Sequence, residues 1–244
     1  IMYCGTGLYS LPEASRLVGV PSRDINRWLF GYHCLKTVGD DAVRKDIEPL
    51  WKTEHSDQDY DERVIGFRDL IELRFVREFV RHGVSLQVIR CSLQAASEIY
   101  GVSHPMSLPR FKTDGKLIYA EAHDEKVNEA SLVDLKHRQA VIKEIISPTL
   151  YDGIVYDAKQ QRVNKWYPVL DVGGGKAIVI DPSRQFGAPI VEETGTPTDV
   201  LFASYLAEGG DDHALAMTAR LYEVPTKLVK AAVRFEGNLK RKQH

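Results

Sequence analysis

The hydrophobic positions change period along the chain, and each change marks an element. From Leu11 to Leu29 apolar residues recur every three or four positions in two short runs, broken at Gly19-Val20-Pro21, which is the spacing of two amphipathic helices. Ser10 and Glu13, three apart with Pro12 between them, make a capping box with proline in the first turn, so the first helix starts there. It stops at Gly19, and Pro21 cannot continue it. Ser22 is the expected cap of the second helix, whose Ile25, Trp28 and Leu29 form the buried stripe while Arg23, Asn26 and Arg27 turn away from it. From His33 to Arg63 the pattern lapses into a polar, acidic stretch too long for a simple connection. A wing or a mobile loop, with poor order between Asp40 and Glu62, is expected there. Helical spacing returns over Phe67–Arg81, ended by Gly83, and again after Ser85, where Leu86, Ile89, Leu93, Ala96 and Tyr100 share a face up to Gly101 and Pro105.

Beyond Pro105 the period shortens towards two. Asp114-Gly115 centres a hairpin expected over Phe111–Ala120, a helix over Glu129–Ile146 is stopped by Pro148, and Ile154–Tyr156, Val163–Val169, Ala177–Ile180 and Ala188–Val191 read as short strands. Then the opening device returns. Thr196-Pro197-Thr198-Asp199 begins a helix, Gly209-Gly210 ends it, and Asp211 or Asp212 caps the next. Val224-Pro225-Thr226-Lys227 has the grammar of Val20-Pro21-Ser22-Arg23. The predicted fold class is α+β, mainly helical, divided into 1–105 and 106–244, the second part holding a small antiparallel sheet (106–195) and a helical end (196–244).

Two helices across a tight turn form a helix-turn-helix, so each end of the chain carries a candidate one. Arginine pairs bidentately with guanine, asparagine with adenine, and lysines neutralise phosphates. The candidate DNA contacts are therefore Ser22, Arg23, Asn26 and Arg27 in the first unit and Thr226, Lys227, Lys230 and Arg234 in the second. Trp28 is expected to be core.

Composition narrows the classes. Of 244 residues, 43% are hydrophobic and 27% charged, the values of an ordinary globular protein. The net charge of -2 argues against indiscriminate nucleic-acid binding, but the charge is segregated: Lys227, Lys230, Arg234, Lys240, Arg241 and Lys242 stand against one nearby acid, Glu236, and acids crowd between Asp40 and Glu62. With no apolar run near membrane-spanning length and no signal-like start, a cytoplasmic location is expected. Cys4, Cys34 and Cys91 have no paired spacing, so neither a disulfide framework nor a zinc site is implied, and the thiols are expected to be buried. Gly173-Gly174-Gly175-Lys176 lacks the earlier glycine and the following Ser or Thr of a phosphate loop. The acids between Asp40 and Glu62 read as a solvated loop. No nucleophile, base and oxyanion donor assemble, so no enzyme activity, cofactor or metal is expected.

The residues Tyr9-Ser10-Leu11-Pro12-Glu13-Ala14-Ser15-Arg16-Leu17-Val18-Gly19-Val20, then Arg27-Trp28, Phe67-Arg68-Asp69-Leu70 and Gly83-Val84-Ser85-Leu86 resemble the winged DNA-binding domain of MerR-type regulators over about the first hundred positions. The wing departs in being longer and acidic. Ile178-Val179-Ile180-Asp181-Pro182, Gly187-Ala188-Pro189-Ile190-Val191, Gly195-Thr196-Pro197-Thr198 and the closing helices resemble a small antitoxin domain formerly of unknown function, with Pro197 where that family usually has arginine. Joined, the two parts resemble the long VapB-type antitoxins, mycobacterial members above all. The resemblance implies a dimeric antitoxin that represses its own operon by binding operator DNA and neutralises a PIN-like ribonuclease toxin. Two other readings stand beside it: a MerR-type regulator sensing a small ligand in a pocket of Tyr156, Trp166 and Tyr167, and an interaction scaffold with no DNA role.

Overall fold

The computed structural model describes residues 6–38, 41–56, 60–112, 115, 148–159, 162–168 and 176–241, the side chains of 34–38, 41–45, 148, 149 and 241 aside. The described chain is α+β and contains small antiparallel sheets. It divides into two compact units, Ser10–Leu150 and Tyr151–His244 with Ile1–Tyr9. The chain passes from the second unit into the first within the two-residue strand β1 (Tyr9–Ser10).

In the first unit, α1 (Leu11–Val18) carries the predicted capping box: the Glu13 amide donates to Ser10 Oγ, and the Ser10 amide to Glu13 Oε2 at 2.9 Å. Gly19 ends it in the left-handed conformation at φ 69°. In α2 (Ser22–Phe30) Ile25, Trp28 and Leu29 are buried as expected. Ser22 is not the cap, however. The Pro21 carbonyl accepts the first helical bonds, from Asp24 and Ile25, and the Ser22 hydroxyl donates instead to the Leu11 carbonyl at 3.3 Å.

The stretch expected to be a wing or mobile loop contains a regular hairpin. β2 (Tyr32–Val38) and β3 (Asp41–Ile47) pair antiparallel through seven positions, from Tyr32 opposite Ile47 to Val38 opposite Asp41. Charged residues in β3 hide the period, although Gly39-Asp40 between two seven-residue runs is a two-residue turn signal. Gly31 carries the chain from α2 into β2 at φ 71°, where a β-carbon would lie 2.6 Å from the Ile47 carbonyl. After the hairpin, Leu50, Trp51, Thr53 and His55 are buried, and the two-residue strand β4 (Val64–Ile65) leads into α3 (Phe67–Arg81). The helix α4 (Leu86–Tyr100) is capped by Ser85 and ended by Gly101, as predicted. α1 packs on α2 and α3, and α3 on α4, around Leu70, Phe75, Val76, Phe79 and Ile89.

The division expected between residues 105 and 106 falls inside this unit: Met106, Ser107 and Phe111 are buried in it. Phe111 and Lys112 lie in a helical turn rather than a strand, their amides bonded to the carbonyls of Leu108 and Pro109. The rest of the predicted 111–120 hairpin and the 129–146 helix fall outside the described residues, apart from Gly115, as do the glycines of 173–175.

In the second unit, reached through α5 (Pro148–Tyr151), four strands line up in chain order: β5 (Ile154–Tyr156), β6 (Val163–Trp166), β7 (Ile178–Ile180) and β8 (Pro189–Val191), all antiparallel. β5 has its predicted bounds, β7 and β8 each begin one residue later than predicted, and β6 ends at Trp166, the predicted end at Val169 lying outside the described residues. Trp166 and Tyr167 are buried, and Tyr167 packs with Val179 and Ile190. Three helices follow, α6 (Thr198–Ala207), α7 (Asp212–Leu221) and α8 (Thr226–Arg241), with α8 packed on both others and α6 on β8. Asp211 caps α7, its Oδ1 accepting from the Ala214 amide at 2.8 Å. α6 begins after Pro197 without a side-chain cap. Thr198 is buried instead, donating to Glu236 Oε1 at 2.5 Å.

Candidate nucleic-acid interface

The two turns that looked alike in sequence share their geometry. Gly19 and Glu223 both take positive φ, 69° and 55°, the conformation that lets a helix end within one residue. Val20 and Val224 follow as buried anchors. Pro21 and Pro225 then present their carbonyls to the next helix, each accepting two amides at 2.8–3.1 Å. Like Ser22, Thr226 is thus the first helical residue and not the cap.

On α2 the apolar stripe is buried, and the opposite side carries the predicted polar residues. Arg23 is exposed, while Asn26 and Arg27 are half-buried. The Arg27 guanidinium lies 4.2 Å from the centroid of the Tyr32 ring, at the start of β2. Asn26 Oδ1 accepts a short hydrogen bond from Arg63, whose guanidinium lies 4.9 Å from the Phe30 ring. Such stacking holds an arginine fork in place at little further entropic cost. Arg63 is a residue the sequence pattern gave no reason to single out, since it stands 37 positions from Asn26. Together Arg23, Asn26, Arg27 and Arg63 make a cationic, hydrogen-bonding rim along one helix.

What holds the segment after the hairpin against α3 is a buried polar cluster. Asp69 is fully buried and accepts from the Trp51 indole and His104 Nε2, both at 2.7 Å, and from the Gly66 and Glu54 amides at 2.8 and 3.0 Å. Glu72, also fully buried, accepts from the Met106 and Ser107 amides at 2.8 and 2.9 Å. The Glu54 carboxylate, 4% exposed, pairs with Arg68 and accepts its amide. Gly66 permits that approach, since a β-carbon there would collide with Glu54. Glu54 therefore does not belong to a solvated loop. A helix N-terminus and an arginine make a better place for its charge than water alone.

Burial alone would raise the Asp69 carboxyl, but the hydrogen bond and charge of His104 with the Gly66 and Trp51 donors bring it below its ordinary value. Burial alone would lower His104, but Asp69 and then Glu72 and Glu54 bring it above. Burial pushes Glu72 up. The Ser103 hydroxyl lies 2.8 Å from His104 Nδ1, which gives the order of nucleophile, imidazole and carboxylate. The Asp69 carboxylate that raises the imidazole favours its charged form, and the trio ties α3 to residues 103–107 as a clasp.

The second candidate set lies on α8. Leu228, Val229, Ala232, Phe235 and Leu239 are buried, whereas Thr226, Lys227, Lys230 and Arg234 are exposed on the opposite side. Glu236, the one acid between Lys227 and Lys242, points inward to Thr198 and is 1% exposed, so the exposed face of α8 is more cationic than the sequence suggests. The eight predicted DNA-binding residues thus fall into two sets, one in each compact unit. Cys91 is a free thiol and is half-buried rather than buried. Among the described residues no helix is long and apolar enough to cross a membrane.

No family model matches the chain, and no curated protein matches it. Among solved structures the chain is similar to the X-ray crystal structure of Rv2018 from Mycobacterium tuberculosis, with 20% identity and a TM-score of 0.64 over 92% of this chain and 96% of that one. At that identity the likeness is one of fold, and it extends over nearly the whole of both chains.

Proposed function

We propose that this protein is the antitoxin of a type II toxin-antitoxin pair, a cytoplasmic dimer that binds operator DNA to repress its own operon and neutralises a PIN-like ribonuclease toxin by direct binding. In this reading α1, the Gly19-Val20-Pro21 turn, α2 and the β2–β3 hairpin form a winged helix-turn-helix, with α2 as the recognition helix. The observation that carries it is the outward face of α2, where Arg23, Asn26 and Arg27 are joined by Arg63 while Ile25, Trp28 and Leu29 anchor the helix from beneath. The exposed Lys227, Lys230 and Arg234 of α8 serve either as a second set of phosphate ligands or as a cover for the acidic centre of the nuclease. Of Tyr156, Trp166 and Tyr167, which a ligand sensor would need as pocket walls, Trp166 and Tyr167 are packed within the second unit at 5% and 6% exposure and Tyr156 is half-buried, and the packing of the first two supports the antitoxin over the sensor.

The test is a gel-shift titration of the full chain on the DNA upstream of its own gene, run beside co-expression with the nuclease encoded next to it. Retarded, salt-sensitive complexes and rescue from toxicity are expected. Absence of both would remove the reading.

A further inference from the structure

Beside the recognition helix the first unit holds an open cavity of about 800 Å³, within the size range of small-molecule sites. It is lined by α4, the end of α2 and the foot of the β2–β3 hairpin, all in one compact unit. Leu50, Trp51 and Leu93 give it an apolar floor, and all three are buried. Its polar lining is rich in donors that the protein leaves unused. The Arg27 guanidinium lies over the Tyr32 ring, and no acid or carbonyl among the described residues takes its N–H groups. Arg90 donates through Nη1 to the Glu48 and Pro49 carbonyls, at 2.7 and 3.0 Å, which fixes the fork and leaves Nε and Nη2 without an acceptor among the described residues. The Trp28 indole N–H, on a buried side chain, likewise has none, although a buried indole ordinarily finds a partner.

We propose that this cavity binds a small organic carboxylate with an apolar body, its charge held by Arg27 and Arg90 and its body laid on Leu50, Trp51 and Leu93. The guanidinium fork matches a carboxylate in plane and spacing. The charge of the lining sets the valence: three bases, Arg27, Arg90 and Lys52, stand with two acids, Asp46 and Glu48, which leaves one positive charge in excess and so suits a monoanion. A phosphate dianion would exceed that charge and leave the apolar floor bare, and a nucleic-acid backbone would do the same. The site uses none of Tyr156, Trp166 and Tyr167 of the second unit. Arg27 is also a proposed operator contact, so, resting on that reading, ligand and DNA compete for one guanidinium.

Two of the three tryptophans, Trp28 and Trp51, line the cavity, so tryptophan emission of the full chain reports occupancy without DNA. Phenylacetate is expected to change that emission saturably with a Kd on the order of 1 mM, the affinity open to so small a ligand. Phenylacetamide, of the same shape without the charge, should bind about tenfold more weakly, and R27Q and R90Q should each weaken phenylacetate by about as much. R90Q also releases the hairpin foot, whereas Arg27 holds no backbone group, so R27Q with a wild-type thermal midpoint isolates the loss of the donor. No saturable change, equal affinity for the amide, or indifference to R27Q would overturn the site. In gel shifts, saturating phenylacetate should weaken the wild-type operator complex by about tenfold and leave the residual R27Q complex unchanged. A wild-type complex that ignores phenylacetate overturns the competition. Absence of any operator complex beside a saturable emission change counts against the DNA reading and upholds the site.

Discussion

Asn26 is the residue on which operator specificity should turn, and its amide is already engaged by Arg63. Asparagine reads adenine with both its oxygen and its nitrogen, so binding must either exchange the Arg63 hydrogen bond for a base or use it to fix the rotamer. Asn26→Ala and Arg27→Ala are each expected to cost about 1 to 3 kcal/mol of operator binding and to relax preference at one or two base pairs. If Arg63 fixes the rotamer, Arg63→Ala relaxes the same position and adds nothing to Asn26→Ala, which a double-mutant cycle by fluorescence anisotropy would read. A second expectation concerns His104. Its folded pKa is raised above 6.5, so the stability it contributes is present below that pH and is lost as pH rises through the higher folded value. Asp69, lowered from 3.8, contributes stability present above that pH and lost as pH falls through its folded value. Glu72, raised from 4.5, contributes a loss as pH rises. Thermal midpoints should therefore peak on the acid side of neutrality and decline as pH rises above 6.5 towards the folded value of His104. His104→Gln should flatten that decline and, by leaving the buried Asp69 charge unpaired, cost about 3 kcal/mol or more. An undiminished midpoint in the variant would refute the clasp.

At the scale of elements, the two Val-Pro turns make a matched pair with different settings. In each, a left-handed residue, a buried valine and a proline carbonyl launch a helix, but α2 leads at once into a hairpin through Gly31 whereas α8 runs on to Arg241. Gly31→Ala should lower stability by about 1 kcal/mol or more, because φ of 71° and the close Ile47 carbonyl both oppose a β-carbon. Chemical denaturation would measure it. For α8, alanine at Lys227, Lys230 and Arg234 together should leave folding intact, since all three are exposed. If the helix lies on DNA, the slope of log affinity against log salt should flatten by about 0.9 for each phosphate that is no longer neutralised. If it covers a nuclease, the slope stays and inhibition fails. Loss of neither would make the basic run an ordinary solvated face.

For the whole molecule, β5 and β8 are the outer strands of the four-stranded sheet among the described residues, with Pro197 bridging the outer side of Ile190, and a sheet edge is where a partner strand can add. Hydrogen exchange with and without the toxin should show new protection within Ile154–Val191. Protection confined to residues after Thr196 would contradict a role for the sheet in partner binding. The compact units divide at Leu150–Tyr151 and not between residues 105 and 106, so a fragment ending at residue 105 would cut Met106 and Ser107 from Glu72 and expose its buried carboxylate. Such a fragment is expected to be much less stable than one ending at Leu150.

What the sequence determined by itself is what acts over a few residues. The capping box at Ser10 and Glu13, the left-handed stops at Gly19 and Gly101, the Ser85 and Asp211 caps and the stripe of Ile25, Trp28 and Leu29 all depend on neighbours within a turn or two, and each stands in the structure as spacing predicted. So do the short strands of the second unit. What tertiary structure decided is where polar residues go when a distant partner competes for them. Ser22 leaves its capping role for the Leu11 carbonyl, Thr198 turns inward to Glu236, Asn26 meets Arg63, Asp69 meets His104, Glu54 meets Arg68, and Glu72 meets the Met106 and Ser107 amides. Local periodicity carries no signal for such pairs, because a buried charge is stabilised only by the donor that the rest of the fold brings to it.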